Sequence, residues 1–192
     1  GSDDLITILD SNALSFSMSD FAIEGWINAQ INPNVPAQEY NVISKLSPTG
    51  IGYKLVYGLA DQSLQFSMSD GISTIAVSSG TNSVPTGTYK HFAVTVSRSA
   101  GIKLYIDGRF VTSSSISGLG AVGNSASVII GQGTSGALKG LLDNLRFYSA
   151  ALSANQIAEH GRRVYDTIVH DQTKTGQQWR SSVTPTDKKD DG

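Results

Sequence analysis

Residues 140–160, GLLDNLRFYSAALSANQIAEH, decide the fold of this chain. The segment opens as a strand in which apolar and polar side chains alternate, and residues two apart on a strand lie on the same face. We therefore expect one face to carry Leu141, Leu145 and Phe147. Asp143 stands in the same strand as an isolated acidic side chain.

The second half of the segment predicts a short helix over residues 153–161. Ser153 and Gln156 stand at capping-box spacing, where a hydroxyl accepts from the third backbone amide and the longer side chain reaches back. Gly161 is expected to end the helix, because glycine enters the left-handed conformation without steric cost.

Outward from this segment, short strand-like runs alternate with turn signals along the chain. Asp70-Gly71 and Asp107-Gly108 separate alternating runs, and an Asp-Gly pair is a strong hairpin signal because both residues tolerate positive φ. Many short strands at close spacing are typical of a sandwich. The sequence predicts an all-β fold of two antiparallel sheets with one short helix near residues 153–161.

Four segments resemble, in order, the laminin-G-like or concanavalin A-like lectin and glucanase domains. Residues 140–153 resemble the closing signature of that family, although Asn144 stands where a second Asp is usual. The other three are DFAIEGWI, HFAVTV and KLYIDG, at residues 20–27, 91–96 and 103–108. The resemblance implies a jelly-roll sandwich and is silent on the ligand, because one fold hosts many functions.

The domain organisation follows from where the resemblance ends. We assign residues 3–163 to a laminin-G-like domain and residues 164–192 to a polar C-terminal extension. The usual first strand of the family precedes Asp3 and is either missing here or replaced, and residues 164–169 are the candidate replacement. Trp179 stands alone in the extension, where it is predicted to contact the domain or a neighbouring subunit. The alternative is that the extension is a linker or tail leading to another domain.

Bulk properties exclude several partners. The formal net charge is −2 and the pI about 5.9, so no basic field attracts nucleic acid or anionic lipid. Cysteine is absent, and the fold therefore needs no disulfide. No apolar run approaches the roughly 20 residues of a membrane span.

An enzyme is disfavoured by the carboxylates. Glycoside hydrolysis needs two of them flanking the bond, and glucanases of this fold carry them as Glu-x-Asp-x-x-Glu. Glu24 has no carboxylate two or five residues further on, and neither other glutamate lies in such a pattern. The histidines, which lack a companion at ligand or triad spacing, are predicted to be structural: His91, His160 and His170.

The resemblance implies one structural Ca²⁺ held by Asp4 and Asp143 together with backbone carbonyls. Calcium takes six to eight oxygens from mixed ligands, so no compact motif is required. Asn144 in place of Asp removes one charge from such a site. The alternative is that Asp143 only hydrogen-bonds nearby backbone.

Aromatic side chains are the expected contacts for sugar faces. Tyr53 and Tyr57 lie four apart on one strand and, with Tyr40, are candidates for a concave glycan-binding surface. The alternative is that they are ordinary half-buried strand residues. Trp26 is predicted to lie in the core.

These observations favour a noncatalytic recognition module. It would bind a glycan or a surface protein, outside the cell, within a larger cell-surface adhesin or virion protein. The alternative is a structural or assembly module, a decoration, fibre or spacer domain. In that role the C-terminal extension would contact a neighbouring subunit or a second copy of the chain.

Overall fold

The computed structural model describes residues 5–30, 39–133 and 136–162. Two antiparallel sheets face each other, as predicted. The elements in chain order are β1 (Ile6–Ile8), a 3₁₀ turn (Asn12–Leu14), β2 (Phe21–Ala29), β3 (Glu39–Leu46), β4 (Gly52–Gly58), β5 (Ser63–Ser69), β6 (Thr74–Ser78), β7 (Lys90–Ser97), β8 (Gly101–Ile106), β9 (Arg109–Ser114), β10 (Val128–Ile130), β11 (Gln132–Gly133), β12 (Gly136–Ala137), β13 (Gly140–Tyr148) and the helix α1 (Ala154–His160).

The larger sheet has the order β1-β10-β3-β4-β5-β6, and the smaller has the order β13-β2-β7-β8-β9. Strands β11 and β12 form a separate two-stranded ribbon. Side chains from the inner faces of both sheets pack into one core, in which Phe21, Ile23 and Ile27 of β2 meet Leu55 and Phe66 of the opposite sheet. The alternation along β2 therefore sends Ala22, Glu24 and Trp26 to the outer face.

Both Asp-Gly pairs lie in hairpin connections, as predicted, but Asp70-Gly71 is part of a four-residue loop (residues 70–73) in which Gly71 has a φ of 89° and Asp70 is not at positive φ. Asp107 and Gly108 have φ of 49° and 73°, the positive values that a two-residue hairpin turn requires. At the other turn, the Asp70 carboxylate accepts hydrogen bonds from the backbone amides of Ile72, Ser73 and Gly120 at 2.7–2.9 Å. These amides lower the pKa of Asp70 to about 2.

Strand β13 carries a bulge that changes the predicted faces. Its register with β2 shifts between Asp143 and Arg146, where Asn144 has a φ of 50°. The extra residue moves every side chain before it to the opposite face. Leu142, not Leu141, consequently joins Leu145 and Phe147 against the core, and Leu141 is 53% exposed.

The helix begins as predicted and ends for a different reason. Ser153 and Gln156 form both hydrogen bonds of the capping box. Gly161 has a φ of −64°, so the expected left-handed conformation is wrong. The residue is small because the helix end packs on the β8–β9 turn: a Cβ on Gly161 would lie 2.6 Å from the Gly108 backbone nitrogen.

Candidate functional site

The segment from residue 149 to residue 160 covers the outer face of the smaller sheet. A second hydrophobic cluster lies between them, built from Ala22, Ala93, Tyr105, Leu152 and Ile157. The smaller sheet is therefore buried on its inner face and partly buried on its outer face. This second layer contains the polar groups that could form a site.

A buried carboxylate, Glu24, anchors the covering segment. It is 1% exposed and accepts a hydrogen bond from the Tyr148 hydroxyl at 2.5 Å. His160 Nδ1 lies 2.9 Å from its Oε2 and must donate, since a carboxylate only accepts. His91 Nε2 lies 3.6 Å away, beyond hydrogen-bond distance, and Arg146 lies 3.8 Å away.

The surroundings of Glu24 favour its charged form. Burial alone would raise the pKa of this carboxyl, but the polar side chains of His91, Tyr148 and His160 outweigh it, and the pKa is lowered. Burial and the adjacent Glu24 in turn raise the pKa of Tyr148 to about 12. Glu24 is therefore ionised within this cluster, and the Tyr148 hydroxyl keeps its proton and donates a hydrogen bond.

This cluster links the covering segment to the smaller sheet. It joins β2 and β13 to the last residue of α1, and it contains one carboxylate where glycoside hydrolysis needs two. Tyr148 precedes the covering segment and His160 is its last residue. The cluster therefore fixes both ends of that segment on the sheet.

A pocket of about 130 Å³ lies where the covering segment meets β7 and β8. Tyr105, Leu152 and Ala151 give it apolar walls, and Thr95 and Lys103 give it polar groups. Gly101, with a φ of 88°, lies at its edge without a side chain. The pocket combines apolar area with a few convergent polar groups, as small-molecule sites do, but it is smaller than the roughly 300–1,000 Å³ of a usual ligand pocket.

Two polar groups of this pocket have unused hydrogen-bonding capacity. Thr95 is 5% exposed, and its hydroxyl has no hydrogen-bond partner among the described residues. Lys103 is its direct cross-strand partner and makes no hydrogen bond or ion pair with the parts of the chain that the structure describes. A buried hydroxyl without a partner is costly, so a ligand that displaces the atoms covering this oxygen would gain affinity by pairing with it.

The predicted tyrosine surface is wrong. Tyr40, Tyr53 and Tyr57 are all buried in the core between the sheets, where no sugar can reach their rings. The Tyr57 hydroxyl donates to the Val84 carbonyl at 3.0 Å, a contact typical of a core tyrosine. Trp26 is buried, but it lies on the outer face of β2 and not in the predicted core between the sheets.

The other predicted site residues divide between the described and undescribed parts of the chain. Asp143 lies on β13, exposed and opposite Trp26. Asp4, Trp179 and the extension 164–192 lie outside the described residues. Within residues 5–30, 39–133 and 136–162, no group of three or more His, Asp or Glu side chains is placed to hold a metal ion. The calcium site therefore remains a prediction.

The pocket was not found from the sequence, although part of its signal is there. The Ala100-Gly101 turn sets the β7–β8 register, and that register places Thr95 opposite Lys103. Lys103 and Tyr105 alternate with core residues, which indicates an outward face. The sequence does not show that residues 151–154 form the opposite wall of the pocket, because their packing on this face depends on tertiary structure.

Comparisons with known proteins agree with this architecture. The sequence model of a concanavalin A-like lectin/glucanases superfamily matches residues 1–158. The chain belongs to this superfamily. The resemblance seen in four separate motifs is thereby confirmed, together with the two-sheet fold. A search of curated proteins finds no match.

Similar solved structures are binding domains of larger toxins. They include the binding domain of Paraclostridial Mosquitocidal Protein 1, with a TM-score of 0.71, 23% identity and coverage of 83% of this chain and 41% of that one. A second is the Botulinum neurotoxin serotype G binding domain, with a TM-score of 0.67. A third is the Botulinum neurotoxin serotype D ligand binding domain in complex with N-acetylneuraminic acid, with a TM-score of 0.66. Each of these two is 16% identical and covers 83% of this chain and 40% of its own. This chain thus spans about two-fifths of those structures, and the likeness shows the fold.

No helix in the described ranges is long and apolar enough to cross a membrane.

Proposed function

We propose that this domain is a noncatalytic carbohydrate-recognition module that binds a terminal sugar in the pocket lined by Thr95, Lys103 and Tyr105. The observation that carries the proposal is the buried Thr95 hydroxyl, which has no hydrogen-bond partner in the described structure and lines a pocket beside an unpaired cation. Sugar hydroxyls both donate and accept hydrogen bonds, and they would satisfy these groups.

The apolar walls suit the same ligand. Tyr105 and Leu152 are 4% and 9% exposed, so they offer a small apolar contact area to one edge of a sugar ring. Phe110 packs edge-to-face against Tyr105, with ring centroids 5.8 Å apart, and is 57% exposed. An exposed ring beside the pocket could stack on a second sugar unit. The pocket of about 130 Å³ has room for part of one sugar, so recognition would centre on a chain end.

A module with one small site binds weakly, and display of several copies raises the overall affinity. We therefore propose that the domain works outside the cell, as part of a larger cell-surface or virion protein. The toxin binding domains that share its fold belong to chains more than twice as long as the matched part, which supports such a context.

The test is a glycan array probed with the wild-type protein and with Thr95→Val, in added Ca²⁺ and in EDTA. Valine keeps the shape of threonine and removes the hydroxyl, so the fold is expected to persist. We expect binding to a defined glycan class that the variant loses. The control is Thr74→Val on the opposite sheet, where the threonine is exposed and binding should be unchanged. Silence of the wild-type protein on every glycan would refute the proposal.

Assembly is a second candidate function, favoured by a different observation. Apolar side chains stand exposed along the edge formed by β1 and β13, notably Leu5, Ile6, Leu9 and Leu141. Such a patch marks a contact surface when it is large enough. Light scattering should then give a mass above the 20.3 kDa of one chain, and Leu141→Ser should lower it. A monomeric mass at all concentrations would exclude this function.

A further inference from the structure

Lys103 differs from the ion-paired cations of the domain in its surroundings, and it is the cation that lines the pocket of about 130 Å³. The paired cations have a carboxylate within 2.5–3.0 Å, namely Lys45 with Asp10, Lys90 with Asp107 and Arg162 with Glu159. Lys103 has no carboxylate partner among the described residues, and no Asp or Glu lines the pocket with it. A cation beside a partly enclosed pocket, with no internal counter-charge, favours an anionic ligand.

The groups around Lys103 define the size of that anion. Thr95 lies directly across the β7–β8 pair and Tyr105 lies two residues along the same strand. Directly opposite Cβ atoms on a sheet are about 4.5–5.5 Å apart, and residues two apart on a strand are roughly 6.6 Å apart. At this spacing, Lys103 can contact a carboxylate of the ligand while Thr95 or Tyr105 contacts a neighbouring hydroxyl of the same ligand. Burial raises the pKa of Tyr105, so its phenol stays a donor.

The charge of the pocket also limits the ligand to a single negative group. One lysine is present, and the chain as a whole has a formal net charge of −2. A polysulfated chain needs a row of cations, whereas the pocket lining among the described residues supplies Lys103 alone, and no long-range field would draw such a chain to the protein.

We propose that the pocket is selective for a sugar that carries one carboxylate. Its carboxylate would pair with the Lys103 ammonium, and ring hydroxyls would hydrogen-bond to Thr95 and Tyr105. This inference rests on the proposed carbohydrate function and adds the class of sugar to it. Hexuronic acids and sialic acids share the required chemistry.

The test compares sugars that differ only in the acid group. Methyl β-D-glucuronide and methyl β-D-glucoside share their ring, and the methyl glycoside of N-acetylneuraminic acid is paired with its neutral methyl ester. Dissociation constants are measured by NMR titration for the wild-type protein, Lys103→Met and Lys54→Met. Lys54 is a partly exposed lysine on the opposite sheet and serves as the matched control.

We expect the wild-type protein to bind the acid of at least one pair about tenfold more tightly than its neutral partner, as a charge-assisted bond implies. Lys103→Met should bind the two members equally, while Lys54→Met keeps the preference. The pair that shows the preference identifies the source of the acid. Equal binding of acid and neutral sugar by the wild-type protein would overturn this inference and leave carbohydrate binding intact. No binding of any of the four would overturn the acidic-sugar inference, and the glycan array alone would then decide the carbohydrate function. A preference that survives in Lys103→Met would show that Lys103 is not the cation.

Discussion

Replacing Glu24 by glutamine removes a buried negative charge and keeps the shape of the side chain. The Tyr148 and His160 hydrogen bonds to this carboxylate, at 2.5 and 2.9 Å, become bonds to a neutral amide. A bond to a charged group is stronger than a neutral one by roughly 1 kcal/mol, so Glu24→Gln should lower the free energy of unfolding by about 2 kcal/mol near pH 7. For a chain of 192 residues this corresponds to a fall in Tm of about 4–8 °C.

The pH dependence of this effect has a definite sign. Because the pKa of Glu24 is lowered in the folded protein, its stabilising contribution is complete above the ordinary value of 4.5. It is lost as the pH falls through the folded-state pKa, where the carboxyl becomes neutral like the glutamine. The wild-type protein and Glu24→Gln should therefore differ most near neutral pH and converge in acid.

Urea denaturation monitored by circular dichroism at a series of pH values measures both expectations. Glu159→Gln is the matched control, because Glu159 lies one residue before His160 but pairs with the exposed Arg162 at 3.0 Å. A surface pair of this kind contributes about 0.5 kcal/mol or less. The reasoning would be refuted if Glu24→Gln cost no more than this control, or if its effect did not change with pH.

Three further changes test other parts of the structure. Thr95→Val removes a buried hydroxyl without a described partner, so thermal unfolding should show unchanged or slightly higher stability, and a loss above 1 kcal/mol would show a missed hydrogen bond. Gly161→Ala places a methyl group 2.6 Å from the Gly108 backbone and should cost about 1–3 kcal/mol in urea, and no loss would contradict that close contact. If Asp143 helps to hold the proposed Ca²⁺, adding Ca²⁺ should raise the Tm of the wild-type protein and not of Asp143→Asn, whereas equal shifts would remove Asp143 from the site.

The sequence predicts the Asp107-Gly108 turn and the N-cap of the helix because those features depend on few neighbouring residues. Asp107-Gly108 is a hairpin turn since both residues accept positive φ, and Ser153 with Gln156 caps a helix through their spacing alone. Four short motifs in the order of the family were enough to predict the β-sandwich fold.

The faces of individual strands were harder to predict. Tyr53 and Tyr57 were expected on a glycan-binding surface, yet Leu55 lies between them on the same face, and that alternation indicates the core. In β13 the Asn144 bulge reverses the faces, so Leu141 is exposed. Asparagine tolerates positive φ, but nothing local requires the bulge at this residue.

The site itself depends on contacts between distant parts of the chain. His91 and His160 have no companion at ligand spacing in the sequence, yet the fold brings both to Glu24. The pocket beside Thr95 exists only because residues 151–154 pack against β7 and β8. Spacing along the chain contains no information on either arrangement.

Mapping of backbone amide chemical shifts on addition of methyl β-D-glucuronide tests the central proposal most directly. If the pocket is the site, the largest shifts will fall on residues 95–105 and 151–154, and they will vanish in Thr95→Val. Shifts along the exposed edge of β1 and β13 would place the binding surface elsewhere. A spectrum that this ligand and the sialic acid glycoside both leave unchanged would contradict the assignment of this pocket as an acidic-sugar site.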